Sequence, residues 1–161
     1  MLDSEGRRAI LKIVVDTREQ TPWSLTGFTT VRRKLDAGDY SIEGYEGRVA
    51  VERKSKEDAW GCVGRGRERF TRCLESLAQL DRAAIVVECT LGDFAVRPPY
   101  VKRVTAATAV GSYISWSCQY RIPVFWCDDR AYAERVAVRF LAAYVKHVEA
   151  INRAIKVGGT A

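Results

Sequence analysis

Short apolar runs bounded by polar residues mark several stretches of this chain, and apolar positions stepping by three and four mark others. Lys12-Ile13-Val14-Val15-Asp16 is a short β-branched run that gives way to polar residues and Pro22. It predicts a buried strand with Asp16 at its C-terminal end. A second strand is expected over residues 29–35. Asp36-Ala37-Gly38-Asp39 reads as a turn, and residues 40–42 and 48–53 then read as the arms of a hairpin joined by Glu43-Gly44-Tyr45-Glu46-Gly47. Ser55 is a good N-cap, with Asp58 three positions on as in a capping box, so a helix opens there and is interrupted from Gly61 to Gly66. A longer helix follows, with Phe70, Cys73, Leu74, Leu77 and Leu80 on one side. Residues 83–88 are almost continuously apolar, the pattern of a central strand covered on both faces.

Beyond Pro98-Pro99, Val104, Ala107, Gly111, Ile114 and Cys118 step by three and four and predict a helix with these positions facing the core. Residues 122–126 form a short strand, placed at an edge because Pro123 cannot donate to a ladder. Asp128 or Asp129 caps a last helix whose apolar stripe is Val136, Phe140, Tyr144, Val148, Ile151 and Ile155. Strands followed by alternating helix and strand predict an α/β fold, a mixed central sheet flanked by helices on both faces. Neither a repeat nor a low-complexity linker divides the chain, so residues 1–161 are expected to form a single domain with its core at about 12–156.

Composition narrows the chemistry. The 161 residues include 26 Lys plus Arg against 20 Asp plus Glu, a formal charge of +6, which points toward phosphate-bearing partners such as nucleic acid. No apolar run approaches the roughly 20 residues that span a bilayer, and residues 1–8 lack the apolar stretch of a secretion signal, so a soluble, intracellular (cytoplasmic) protein without membrane contact is expected. One histidine, His147, excludes His-pair metal sites. Five cysteines without C-x-x-C spacing read as small buried residues in a reducing compartment. Chemistry must then rest on carboxylates, Lys and Arg.

The acids form a pattern. Residues two apart in a strand share a face, so Glu52 and Lys54 project together while Arg53 points away. The hairpin brings Asp39 beside Glu52's arm, where the two carboxylates converge. Convergent carboxylates are hard oxygen donors suited to Mg²⁺ or Mn²⁺. A neighbouring ammonium neutralises charge that develops on a phosphorus centre. Arg53, turned to the other face, needs a carboxylate partner if buried, and Asp58 is one candidate.

Val15-Asp16-Thr17-Arg18-Glu19, Gly38-Asp39-Tyr40 and Val51-Glu52-Arg53-Lys54-Ser55-Lys56-Glu57-Asp58, in that order, resemble the nuclease domain of the XPF family of structure-specific endonucleases. The family hallmark is Gly-Asp, a variable gap, then Glu-Arg-Lys with Asp four residues after the Lys. The likeness continues through residues 64–70 and Ile85-Val86-Val87-Glu88, covering about residues 12–127. It implies a restriction-endonuclease-like fold and a metal-dependent DNA endonuclease acting on branched, flap or junction DNA, as in DNA repair and recombination. Carried over residue by residue, Asp16, Glu19, Asp39, Glu52 and Lys54 are catalytic, with Asp16, Asp39 and Glu52 as ligands of Mg²⁺ or Mn²⁺. Arg18 and Arg53 contact or orient phosphate and neighbouring acids. The tandem helix-hairpin-helix module that usually follows this domain does not fit within the chain, and a small stand-alone nuclease of this kind is expected in bacteria or their phages.

Further residues are assigned from their setting. Arg65 and Arg69, beside Gly64 and Gly66, could track a phosphate backbone, as could Lys102-Arg103. The competing reading for this helix is a solvated face with i,i+4 pairs such as Glu68 with Arg72. Asp58, opposite Ser55, supports the site from behind. The four tryptophans read as core, with Trp60 as the candidate base-stacking platform. A non-catalytic DNA-binding scaffold or partner subunit is the alternative function, and the long apolar stripe of the last helix would suit a homodimer or partner interface.

Overall fold

The computed structural model describes residues 11–158, with side chains to residue 154. Its elements run β1 (Lys12–Val15), β2 (Thr29–Arg32), β3 (Tyr40–Ile42), β4 (Val49–Lys54), α1 (Lys56–Val63), α2 (Arg67–Leu77), β5 (Arg82–Val87), α3 (Leu91–Phe94), α4 (Ala106–Tyr120), β6 (Val124–Trp126) and α5 (Arg130–Gly158). The strands form one mixed sheet in the order β2-β1-β3-β4-β5-β6. β3 runs antiparallel to both β1 and β4, while β1 with β2 and β4 with β5 and β6 are parallel. The end of β1, the start of β3 and the ends of β4 and β5 therefore meet along one edge of the sheet.

Strand alternation sorts the core into two layers. Ala50, Ala83, Ile85 and Val87 pack under α1, α2 and α4 with Phe70, Leu74, Tyr113 and Trp116. On the opposite face Val49, Val51 and Val86 join Ile13, Val15 and Tyr40 beneath Ala137, Leu141 and Val145 of α5. An α/β sheet covered on both faces is thus what the alternating strands and the apolar 83–88 run require, although β5 lies fifth of six, beside the edge strand β6.

Four local expectations need correction. β2 stops at Arg32 because the chain then turns inward, burying Leu35 and giving its amide N–H to Asp16. In α4, Ala107, Gly111, Ile114 and Cys118 face outward, with Ile114 61% exposed, and the buried face is Ala109, Ser112, Tyr113 and Trp116. Both faces of this helix are apolar, and the one carrying the large aromatic rings wins the core because it buries more area. In α5 Tyr144 and Val148 are buried as expected and Val136 and Phe140 partly so, but Ala133, Ala137, Leu141 and Val145 carry the rest of the buried face; Ile151 is exposed and the side chain of Ile155 lies outside the described residues. Most of the apolar surface thought available for a dimer is therefore used against the sheet. Cysteine burial also divides: Cys62, Cys89 and Cys127 are buried, Cys73 is half-buried and Cys118 exposed, all as free thiols.

Other features match. Asp129 caps α5 by accepting from the Tyr132 N–H, and the Ser55 hydroxyl caps α1, accepting from the Asp58 N–H and donating to the Asp58 carboxylate. The short helix α3, capped by Thr90, was not foreseen. Among the described residues no helix is long and apolar enough to cross a membrane.

Candidate active site

The turn before β3 sets the position of the first acid. Gly38 has φ +76°, and a Cβ there would lie 2.8 Å from that of Ala50 and 3.1 Å from the Val51 carbonyl oxygen. Only glycine meets both demands. Asp39 follows, its N–H donating to the Val51 carbonyl and its own carbonyl accepting from the Asp16 N–H. Gly38→Ala is expected to cost about 1–3 kcal/mol through the left-handed backbone and the displaced strand, measured by urea unfolding.

Asp39 projects toward Glu52 and accepts a 2.7 Å hydrogen bond from the Arg53 N–H. Burial first, and the charge of Glu52 second, push its carboxyl up to about 8. Lys54 lies on Glu52's face of β4 and donates to Glu52 Oε1 at 2.5 Å, with its ammonium 5.2 Å from the centre of the Phe70 ring. Burial opposes the lysine's charge, but the Glu52 carboxylate, by its charge and its hydrogen bond, outweighs it and holds the pKa above the ordinary value. Cys62 stands on the same side, and burial pushes its thiol up to about 11, leaving it neutral beside the acids.

Asp16 is buried, and its carboxylate is already well supplied with donors. Oδ1 accepts from the Arg18 N–H and Nε, and Oδ2 from Arg18 Nη2 and the Leu35 N–H. Burial opposes ionisation, while these bonds, led by the Arg18 side chain, hold its pKa below the usual value. Arg18 also donates to the Leu35 carbonyl and is otherwise open to solvent. Glu19 accepts at Oε1 from the Thr21 N–H and hydroxyl and approaches Arg53 at 3.9 Å.

Arg53 is turned away from Glu52, as the strand period requires, but its partner is not Asp58. Its Nε donates to Glu88 at 3.0 Å and its Nη2 to the Thr21 hydroxyl, and the side chain is 8% exposed. Asp58 is occupied with Ser55. Trp60 is 1% exposed, with its indole N–H on the Phe94 carbonyl, so it is a core residue and offers no stacking platform.

Arg65, in the α1–α2 loop, and Arg69, on α2, are exposed and have no carboxylate partner among the described residues. Arg72 pairs with Glu68 at i,i+4, as the solvated-face reading expects. Arg67 is a structural tie, donating to Ser112 and lying 4.8 Å from the Trp116 ring centre. Lys102 and Arg103 lie on an exposed loop before α4. Glu88, Thr21 and Arg130 gather behind the acids around the core residue Trp23, and the sequence pattern assigns none of these three a role in the site. The one readable signal was Glu88, a charge closing an apolar strand.

Asp39, Glu52 and Lys54, with Asp16 and Glu19 beside them, gather where β1, β3 and β4 meet along one edge of a mixed sheet covered by helices. The mixed sheet with helices on both faces is a restriction-endonuclease-like α/β fold. The chain belongs to the ERCC4 domain family, whose model matches residues 15–140, and it is an XPF-type nuclease domain. Solved structures agree on the fold. XPF from Aeropyrum pernix superposes with a TM-score of 0.66 at 19% identity, covering 83% of this chain and 61% of that one. XPF from Aeropyrum pernix in complex with DNA gives 0.64 at 20% identity, covering 84% and 66%. This chain thus spans about three fifths of the length of the first of these structures. A search of curated proteins returned no match.

The donor set suits a hard divalent cation. Asp39 and Glu52 are oxygen donors held close enough for one to raise the other's pKa, a repulsion that a cation would relieve. Among the described residues no three acidic, His or Cys groups converge closely enough to hold an ion unaided. Mg²⁺ sites of one or two carboxylates completed by water and phosphate fit such a set.

Proposed function

We propose that this domain is a divalent-metal-dependent DNA endonuclease that hydrolyses phosphodiester bonds in branched, flap or junction DNA. The observation that carries the reading is the meeting of Asp39, Glu52 and Lys54 at one sheet edge. Family membership and the fold it shares with a DNA-bound XPF support it.

Asp39 and Glu52 would hold Mg²⁺ or Mn²⁺, which supplies Lewis-acid activation of water and charge neutralisation at phosphorus. Lys54 keeps its proton and places fixed positive charge beside the scissile phosphate. Asp16, held by Arg18, shapes the wall of the site, and joins the ligands if Arg18 turns to a phosphate. Glu19 adds negative charge from the opposite loop. A non-catalytic scaffold would be expected to lack one of Asp39, Glu52 or Lys54, and all three are present.

The test is cleavage of end-labelled duplex, flap, splayed-arm and four-way-junction DNA with Mg²⁺ or Mn²⁺. Cutting of a branched substrate ahead of plain duplex is expected; binding without cutting under both metals favours the scaffold. Arg65 and Arg69 would track the backbone. Their joint replacement by Ala is expected to lower the slope of log affinity against log salt by about 2, measured by fluorescence anisotropy.

A further inference from the structure

One carboxylate oxygen behind the site accepts three hydrogen bonds. Glu88 Oε1 takes the Trp23 indole N–H at 2.7 Å, Arg130 Nη1 at 2.8 Å and Arg53 Nε at 3.0 Å. Glu88 is placed there by the parallel β4–β5 register, and its own N–H donates to the Lys54 carbonyl.

Each of the three donors leads to an acid of the site. Arg53 follows Glu52 in β4, and its backbone N–H holds the Asp39 carboxylate. Trp23 donates its backbone N–H to the Tyr40 hydroxyl and stacks on that ring at 4.4 Å, next to Asp39. Arg130, from the start of α5, also clasps the carbonyls of Thr21 and Pro22, while Thr21 holds Glu19.

From this geometry we infer that Glu88 is a positioning residue for the acids of the site, acting chiefly by holding the Arg53 guanidinium so that it does not close fully on Glu19. The role rests on the metal-site reading above. Arg53 is buried and always charged, so it must have a counter-charge. With Glu88 neutral, the carboxylate left to Arg53 is Glu19, which it already meets loosely at 3.9 Å. The guanidinium then closes on Glu19 and offsets more of the negative charge that draws a cation.

The experiment is calorimetric titration of Mn²⁺ into the full chain without DNA, for wild type, Glu88→Gln, Arg53→Met and the double variant. Glu88→Gln is expected to weaken Mn²⁺ binding about tenfold in the wild-type background and less than threefold beside Arg53→Met, since the loss runs through Arg53. A merely structural Glu88 would cost the same in both backgrounds, and that result overturns the inference. Wild-type binding with unchanged Glu88→Gln overturns the Glu88 role alone; a wild type that binds no Mn²⁺ removes the metal reading and the Glu88 role with it. If circular dichroism shows Glu88→Gln unfolded, Thr21→Val cuts the Arg53–Thr21–Glu19 link at an exposed position. A threefold or greater weakening then supports the role, and unchanged affinity contradicts it.

Discussion

Lys54→Met is expected to slow single-turnover DNA cleavage by about 10²–10³-fold while leaving Mn²⁺ binding within a few-fold of wild type. Methionine keeps a side chain of similar length and removes the ammonium, with its bond to Glu52 and its approach to the Phe70 ring. The lysine's pKa lies above its ordinary value despite burial, so its contribution is a fixed charge rather than a proton taken up during the reaction. Cleavage by the wild type should accordingly show no loss on the acid side that tracks lysine protonation. A Lys54→Met protein that cuts at the wild-type rate would remove the lysine from the chemistry, and one that no longer binds Mn²⁺ would make it a structural partner of Glu52 instead.

The second large effect concerns Asp39 and stability. Its carboxyl titrates near 3.8 ordinarily and is pushed up to about 8 in the fold, so the folded protein holds a proton between those values that the unfolded chain has released. Stability of the metal-free protein therefore falls as pH rises across that window. Asp39→Asn is neutral throughout. It is expected to raise the melting temperature at pH 8 by on the order of 5 °C relative to metal-free wild type and to flatten the dependence on pH. Mn²⁺ should stabilise the wild type, because a ligand of the folded state alone shifts the equilibrium, and should do little for the variant. Thermal unfolding at pH 5, 7 and 8 with and without Mn²⁺ reads all of this; parallel curves for the two proteins would contradict the raised Asp39.

Much of the sheet was legible because its strands are short, nearly continuous apolar runs bounded by polar and turn residues. The turn chemistry of Gly38-Asp39 and the two-residue spacing of Glu52 and Lys54 were enough to bring those side chains together. Helix faces were harder. α4 carries apolar residues all round, and a count of spacings cannot say that Tyr113 and Trp116 outweigh Ile114 and Cys118. In α5 the small residues Ala133 and Ala137 are fully buried in the core beneath the sheet while the larger Val136 and Phe140 are only partly so, an order that hydrophobicity alone does not give. The partner of Arg53 was hidden for a different reason: Glu88 lies 35 residues away in sequence and arrives only through the parallel pairing of β4 with β5. Long-range ion pairs of this kind leave no local pattern. The charge at the end of β5 becomes meaningful only once the strand order is known.

The central claim is that the acids at this sheet edge hold the cation with which the domain cuts DNA. Its most direct test compares wild type and Asp39→Asn on one end-labelled flap DNA, in Mg²⁺ and in excess chelator. Asparagine keeps the shape and the Arg53 hydrogen bond and removes the charge. The account predicts cleavage only by the wild type with Mg²⁺, and DNA binding by both proteins. Cleavage that survives either the chelator or the substitution would contradict it.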